Sequence, residues 1–471
     1  MNIALRSAVE QRDLLARGEL SAVDLLEACL GQYDKHNAAL NAVIYTQLDQ
    51  ARKDATAADE AWADGRTLGP LHGLVMTVKD SIDWAGAPST WGDPLTADYF
   101  PEEDAEVVSQ LRAAGAVVYG KTNVPKHLGD WQSHNTIYGR TNNPWNLART
   151  PGGSSGGSAV SVATGMASIE MGSDIGGSVR WPANYNGVAG LKTSFGLVSQ
   201  HGHSYRGHEG IVDNNVVGPI ARTVADLSLM LPTMWHPHMC PPSTSKTSLA
   251  EFTVGVMLEN PVGKQDAAMT AGVEAAIAQL VSAGVSLADP PPRSVVLAGH
   301  HAGMELGRAA ASGPEPLPTQ EEIARYDNGA RDYDALVAHG SRLTYRQWID
   351  LNNERERARL GWRDYFQSVD LLLTPVTPTT APPHDTDRSF SSQTVVVNGE
   401  DRPIFEQWFW AALANATYLP ALSIPVGIAE DGLPFAIQAI GPYMGDLLTL
   451  RFGELAEEIF GHPVHELHAR L

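Results

Sequence analysis

The sequence predicts an α/β fold built as one unit, and three observations predict it. Of 471 residues, 43% are hydrophobic, enough for a large core. Short apolar runs of strand length alternate with longer helical segments along the whole chain. No internal repeat and no low-complexity linker interrupts that alternation. At ~150 residues per domain the length would allow roughly three, but large α/β enzymes exceed that figure.

The elements follow in order. Leu14 and Leu15 precede Gly18, a helix stop. Ser21 then reads as an N-cap with Asp24 three residues on, followed by Leu25, Leu26, Cys29, Leu30 and Tyr33 at helical spacing. A helix is expected from about Gln47 to Trp62. The run Leu74–Val78 reads as a strand, Asp104–Ala114 as a helix stopped by Gly115, and Ala116–Tyr119 as the next strand. Residues 150–220 are rich in Gly and Ser, and residues 231–250 in Pro and Ser, an exposed loop. Thr253–Met257 is a strand, 264–284 an Ala-rich helix, and Val295–Leu360 mostly helical. Leu371–Thr374 is a strand ended by Pro375 and Pro378. Thr379–Arg402 is a long loop, and Ala421–Val426 and Phe435–Ile440 are closing strands.

Composition excludes several functions. Only 18% of residues are charged, below the ~25% of an average domain. The formal net charge is −21, which repels phosphate backbones and anionic lipid, so neither nucleic acid nor a membrane is an expected partner. Cys29 and Cys240 are too few for a disulfide framework or a zinc site. No apolar run reaches the ~18 residues of a membrane span; the stretch Ala159–Ile169 is small and apolar but carries Ser161, Thr164 and Gly165. Met1–Leu20 holds Arg6, Glu10, Arg12, Asp13 and Arg17 without an apolar signal region, and a cytoplasmic location is expected.

Three short patterns mislead. Gly115-Ala-Val-Val-Tyr-Gly-Lys-Thr122 spells a phosphate loop, but a helix precedes it and its spacer is strand-like. Ser243-Thr-Ser-Lys246 spells an S-x-x-K motif but sits after two prolines in a polar loop. His201, His203 and His208 lack a carboxylate or Cys at ligand spacing and read as loop histidines, so no metal is expected.

Two Gly/Ser sites carry the chemistry. The first is Pro151-Gly-Gly-Ser-Ser-Gly-Gly-Ser158, which also fits G-x-S-x-G with Ser155 central. A flexible linker is the plainer reading, but the flanks, Pro144-Trp145 and Ala159–Ile169, belong to a core pattern. A hydrolase elbow would need an HGGG-type loop, which is missing. The second is Gly172-Ser-Asp-Ile-Gly-Gly-Ser178-Val-Arg-Trp-Pro182, where a glycine turn can aim successive N–H groups at one point, as an oxyanion hole requires. A serine needs a base. No His lies near either serine in sequence, whereas Lys79 ends an apolar run, where burial would favour its neutral amine. Taken alone, Lys79 reads rather as a strand-end lysine reaching solvent.

The chain resembles the amidase signature family over nearly its whole length. The likeness runs through Asn41-Ala-Val43, Val78-Lys-Asp80, Gly120-Lys-Thr-Asn123, Thr141-Asn-Asn-Pro144, both Gly/Ser sites, Gly190-Leu-Lys-Thr193, Gly432-Leu-Pro434 and Gln438. The resemblance implies a single α/β/α sandwich around a mixed, mostly parallel sheet. Its expected parts are N-terminal helices (1–65), a catalytic core (70–225), a mainly helical, variable substrate-side region (230–365) and closing strands with a C-terminal helix (370–471). It implies a Ser–cis-Ser–Lys triad with Ser178 as nucleophile, Ser154 as bridge after a cis Gly153–Ser154 bond, and Lys79 as base. It further implies an oxyanion hole from the N–H groups of Ile175, Gly176, Gly177 and Ser178. Support would come from Ser155 and from Asp174 paired with Arg180, and no cofactor or metal would be needed.

Substrate choice is thinner. The segment Val124–Gln132 would line the pocket, with Leu128, Gly129 and Trp131 as substrate contacts. It departs from the Glu-Phe-Ala-Met-Gly-Ser of the catalytic subunits of tRNA-dependent amidotransferases. Trp84, Trp91, Trp131 and Trp408-Phe-Trp410 offer aromatic surface, though core packing is the commoner use of Trp. The expected substrate is a small apolar or aryl amide, with carbamates and esters beside it. The expected assembly is a monomer or homodimer. The alternative is an amidotransferase A-type subunit releasing ammonia from glutamine for a partner.

Overall fold

The computed structural model describes residues 2–311 and 318–470. Eleven strands form one sheet: β1 (Val43–Thr46), β2 (Val75–Lys79), β3 (Val117–Thr122), β4 (Ile169–Asp174), β5 (Ala189–Lys192), β6 (Val216–Ala221), β7 (Thr253–Val256), β8 (Ser286–Ala288), β9 (Leu371–Pro375), β10 (Ala421–Ile428) and β11 (Pro434–Ile440). Their order across the sheet is β1-β3-β2-β4-β6-β5-β10-β11-β9-β7-β8. Helices surround the sheet, as an α/β fold requires. Parallel pairing is confined to two flanks, β3-β2-β4 and β9-β7-β8. The centre, from β4 through β6, β5, β10 and β11 to β9, is antiparallel throughout. The sheet is therefore mixed, and the parallel character expected of it belongs to those flanks.

Most elements lie where the residue pattern puts them. The Ser21 side chain caps α1 (Ala22–Leu40) by accepting from Asp24 N at 2.9 Å. Strand β2 is buried along its length, which a parallel strand covered on both faces demands. Two differences have local causes. The expected loop Thr379–Arg402 contains a hairpin, Thr394–Val397 with Glu400–Pro403. Its turn is Asn398-Gly399, with φ of 51° and 79°, the backbone that twists two antiparallel strands correctly. The region 230–365 contributes to the sheet edge not only β7, at the expected strand Thr253–Met257, but also β8, which is three residues long and carries no alternation to announce it. Within the expected helical stretch Val295–Leu360, residues 312–317 lie outside the described residues.

Candidate active site

Two neighbouring parallel strands, β2 and β4, end beside each other, and chemistry gathers at their carboxyl ends, as it does in open α/β sheets. Strand β2 delivers Lys79 there and β4 delivers Ser173 and Asp174. Ser154 and Ser155 join them from immediately before α2 (Gly156–Ala163). The Gly153–Ser154 peptide is cis. Close approach depends on Gly172 of β4: a Cβ there would lie 2.6 Å from Ser155 Oγ.

Lys79 is fully buried, and its Nζ donates to Ser154 Oγ at 2.7 Å, Ser155 Oγ at 2.9 Å and Ser173 Oγ at 2.9 Å. Burial pushes its amine down to about 7, partly opposed by the charges of Asp174, Glu170 and Asp80. Ser178 stands on the turn after β4 and is joined to the cluster through its carbonyl, which accepts from Ser155 N at 3.2 Å. Its hydroxyl has no partner among the described residues.

The turn is held from within. Asp174 Oδ1 accepts from Gly177 N at 2.8 Å and Oδ2 from Val179 N at 3.1 Å. Arg180 grips the same carboxylate with Nη2 at 2.9 Å and Nε at 3.0 Å. Burial alone would raise the Asp174 pKa, but Arg180, Asn415 and the Gly177 amide outweigh it and keep the carboxylate ionised. Gly177 has φ of 102°, and a Cβ there would meet Trp181 Nε1 at 2.6 Å, so only glycine fits. One expectation changes here. The Gly177 N–H is turned back onto Asp174, so of the four expected donors those of Ile175, Gly176 and Ser178 are left without a protein acceptor among the described residues.

The family described as Amidase matches residues 24–450. The chain belongs to the amidase signature family. Its relatives include the A subunit of the glutamyl-tRNA(Gln) amidotransferase of Synechococcus sp. (strain CC9605), 30% identical, with 95% of each chain covered. The indoleacetamide hydrolase of Bradyrhizobium diazoefficiens is 32% identical, over 94% of this chain and 84% of that protein. Among solved structures, a 6-aminohexanoate cyclic dimer hydrolase complexed with substrate superposes with a TM-score of 0.78 at 25% identity, covering 97% of this chain and 98% of that one. Members of this family are amide hydrolases, and this chain is one. No helix among the described residues is long and apolar enough to cross a membrane.

Beyond the lysine–serine cluster, this amidase gathers an aromatic wall. Trp131 Nε1 donates to Gly176 O at 3.2 Å, which fastens it to the turn. Its ring lies 4.0 Å from that of Trp181 and 4.9 Å from that of Phe390. Tyr333, Phe405 and Trp408 extend the same cluster. The other tryptophans go elsewhere: Trp84 into the main core, Trp91 against His203, and Trp410 onto Gln265 Oε1 at 2.8 Å. Leu128 is half-buried with φ of 59°, and Gly129 is exposed. His203, expected in a loop, is buried, with Nε2 3.3 Å from Ser81 Oγ. Lys121 of the false phosphate loop is buried in β3 and donates to Ile82 O.

Several partners escape a reading of the sequence. Asn415 Oδ1 accepts from Arg180 Nη2 at 2.5 Å, and its Nδ2 donates to Asp174. A lone Asn inside the apolar run Trp408–Ala416 is its signal. Gln438, notable in sequence only for likeness, accepts from Arg180 Nη1 at 2.6 Å. Phe390, Phe405 and Tyr333 carry no local signal, because they reach the wall from distant segments.

Proposed function

We propose that this amidase hydrolyses an apolar, aryl-bearing amide through a serine acyl-enzyme, with Lys79 as base. The observation that carries this is the fully buried Lys79 amine, held by three serine hydroxyls beside the turn that bears Ser178. A neutral amine at about 7 can accept a proton, and Ser154 is its shortest contact. Lys79 then draws the Ser178 proton through Ser154 Oγ. Ser178 Oγ bonds to the amide carbon, and the N–H groups of Ile175, Gly176 and Ser178 hold the oxyanion. The proton returns through Ser154 to the leaving nitrogen, the C–N bond breaks, and water hydrolyses the acyl-enzyme. Substrate binding closes the last link, Ser154 to Ser178, as catalytic hydrogen bonds tighten in the bound state. Ser155 and Ser173 orient the amine, and the Asp174–Arg180 pair braces the turn.

The aromatic wall from Trp131 to Trp408 favours a flat apolar group, and the likeness to a relative named for indoleacetamide points the same way. The same serine chemistry extends to carbamates and esters. No step draws on a metal or cofactor, and the acidic surface disfavours nucleic acid. The experiment is a panel given to the purified single chain: an arylacetamide, a short aliphatic amide, an aryl carbamate, an aryl ester and glutamine, with product detection. Fastest cleavage of the arylacetamide is expected. Ammonia release from glutamine alone would overturn the reading in favour of the amidotransferase role, which relatives of similar identity represent.

A further inference from the structure

Directly behind the catalytic cluster lies a second buried acid that the mechanism above does not use. Glu170 of β4 is fully buried. Thr77 Oγ1 donates to its Oε2, and Thr122 Oγ1 to its Oε1 at 3.1 Å. Each threonine is in turn bonded to a serine of α2: Thr77 to Ser161 at 3.0 Å and Thr122 to Ser158 at 2.9 Å. Two threonine hydroxyls, from β2 and β3, thus converge on one carboxyl, each backed by a serine of α2. Thr77 is two residues before Lys79 on β2, and α2 begins one residue after Ser155. An apolar core needs no such group, and burying one without partners is costly.

We propose that Glu170 is a positioning residue for Lys79, tying the helix that begins at the two serines to the strand that ends in the lysine, and placing a carboxyl behind the amine. The inference rests on Lys79 being the base. Burial raises the Glu170 carboxyl to about 7, opposed by its hydroxyl partners and by Lys121. Its ionised form favours the protonated amine of Lys79. The other titratable groups around it are Asp80, the residue after Lys79 at the end of β2, Tyr119 and Lys121 on β3, and Asp174 on its own strand. Helix α2 offers it hydroxyls only, and the paired strand β6 bears no titratable side chain.

The test is the pH profile of kcat/KM for phenylacetyl p-nitroanilide, or for whichever panel amide is cleaved fastest. Glu170→Gln keeps a side chain that can bond the hydroxyls but removes the charge. It is expected to move the acid limb to lower pH by about half a unit. A purely structural role would lower the rate or the Tm and leave the limb in place, and that result overturns the inference. Should Glu170→Gln not fold, Thr122→Val removes one donor to the anion and keeps the carboxyl. It is expected to move the limb the same way by less, and an unmoved limb is again fatal. Lys79→Ala is run in parallel. A limb that survives there overturns the base assignment and this inference with it. A limb that vanishes there but stays put in Glu170→Gln overturns this inference alone.

Discussion

Two lysines in this chain are alike in everything except what they touch. Lys79 at the end of β2 and Lys192 at the end of β5 are both fully buried, and burial pushes both amines down to about 7. Lys79 donates to three serine hydroxyls. Lys192 donates to two backbone carbonyls, Thr193 O at 3.0 Å and Leu419 O at 2.8 Å. A hydroxyl can accept one proton while giving up another, whereas a carbonyl only accepts. A lowered amine pKa therefore does not by itself make a base. Lys192 braces the end of β5 against the segment before β10, and Lys79 opens onto a chain of exchangeable protons.

The sharpest test of that contrast is at the far end of the chain of protons. Ser178→Ala is expected to cut amide turnover by about ten-thousand-fold or more while the far-UV spectrum and Tm hold. Ser155→Ala should cost less, because Ser154 and Ser173 still hold the amine. The opposite ranking in steady-state assays would make Ser155 the attacking residue.

Next come the two lysines themselves. Lys79→Ala is expected to lower kcat/KM about a thousand-fold and to erase its acid limb, which in the parent should rise through about pH 7 to one plateau. Lys192→Met should keep that limb where it was and lower Tm, since two buried carbonyls lose their donor at a cost of about 1–3 kcal/mol each. Loss of the limb in Lys192→Met would break the comparison.

A smaller effect is thermodynamic. Both amines have folded pKa values near 7, below the ~10.4 of an unfolded lysine. Between those values the unfolded chain binds more protons, so stability rises with pH through the window and is least favoured below about 7. Denaturant titrations from pH 7 to 10 should show a shallower rise in Lys192→Met than in the parent. An equal slope would mean that Lys192 does not titrate there.

The smallest effect concerns selectivity. Trp131→Ala removes the ring fastened to Gly176 and should lower kcat/KM for the arylacetamide about tenfold more than for a short aliphatic amide. An equal loss for both substrates would place Trp131 in turn support rather than in substrate choice.

Much of this is legible in one dimension because it is local. The strand Val75–Lys79, the Ser21 cap and the two glycine–serine turns depend on neighbours within a few residues, and side-chain period, capping and turn chemistry report such neighbours directly. The Asn398-Gly399 hairpin is equally local but hides among the surrounding polar residues. The candidate triad is legible through two motifs and a lysine, but only as residue types.

What tertiary structure decided is which of several similar groups meet. The sequence shows three lysines at strand ends or within strands, and packing alone directs Lys79 to three serine hydroxyls, Lys192 to two carbonyls, and Lys121 to the Ile82 carbonyl with a longer contact to Ser89 Oγ. It shows four adjacent backbone donors, and the fold turns Gly177 back to Asp174. It shows aromatics everywhere, and the sheet order gathers Trp131, Trp181, Phe390 and Trp408 into one wall. These outcomes depend on contacts between residues separated by tens to hundreds of positions. Such contacts leave no period or spacing in the chain, because the distance that matters is measured through space and not along the backbone.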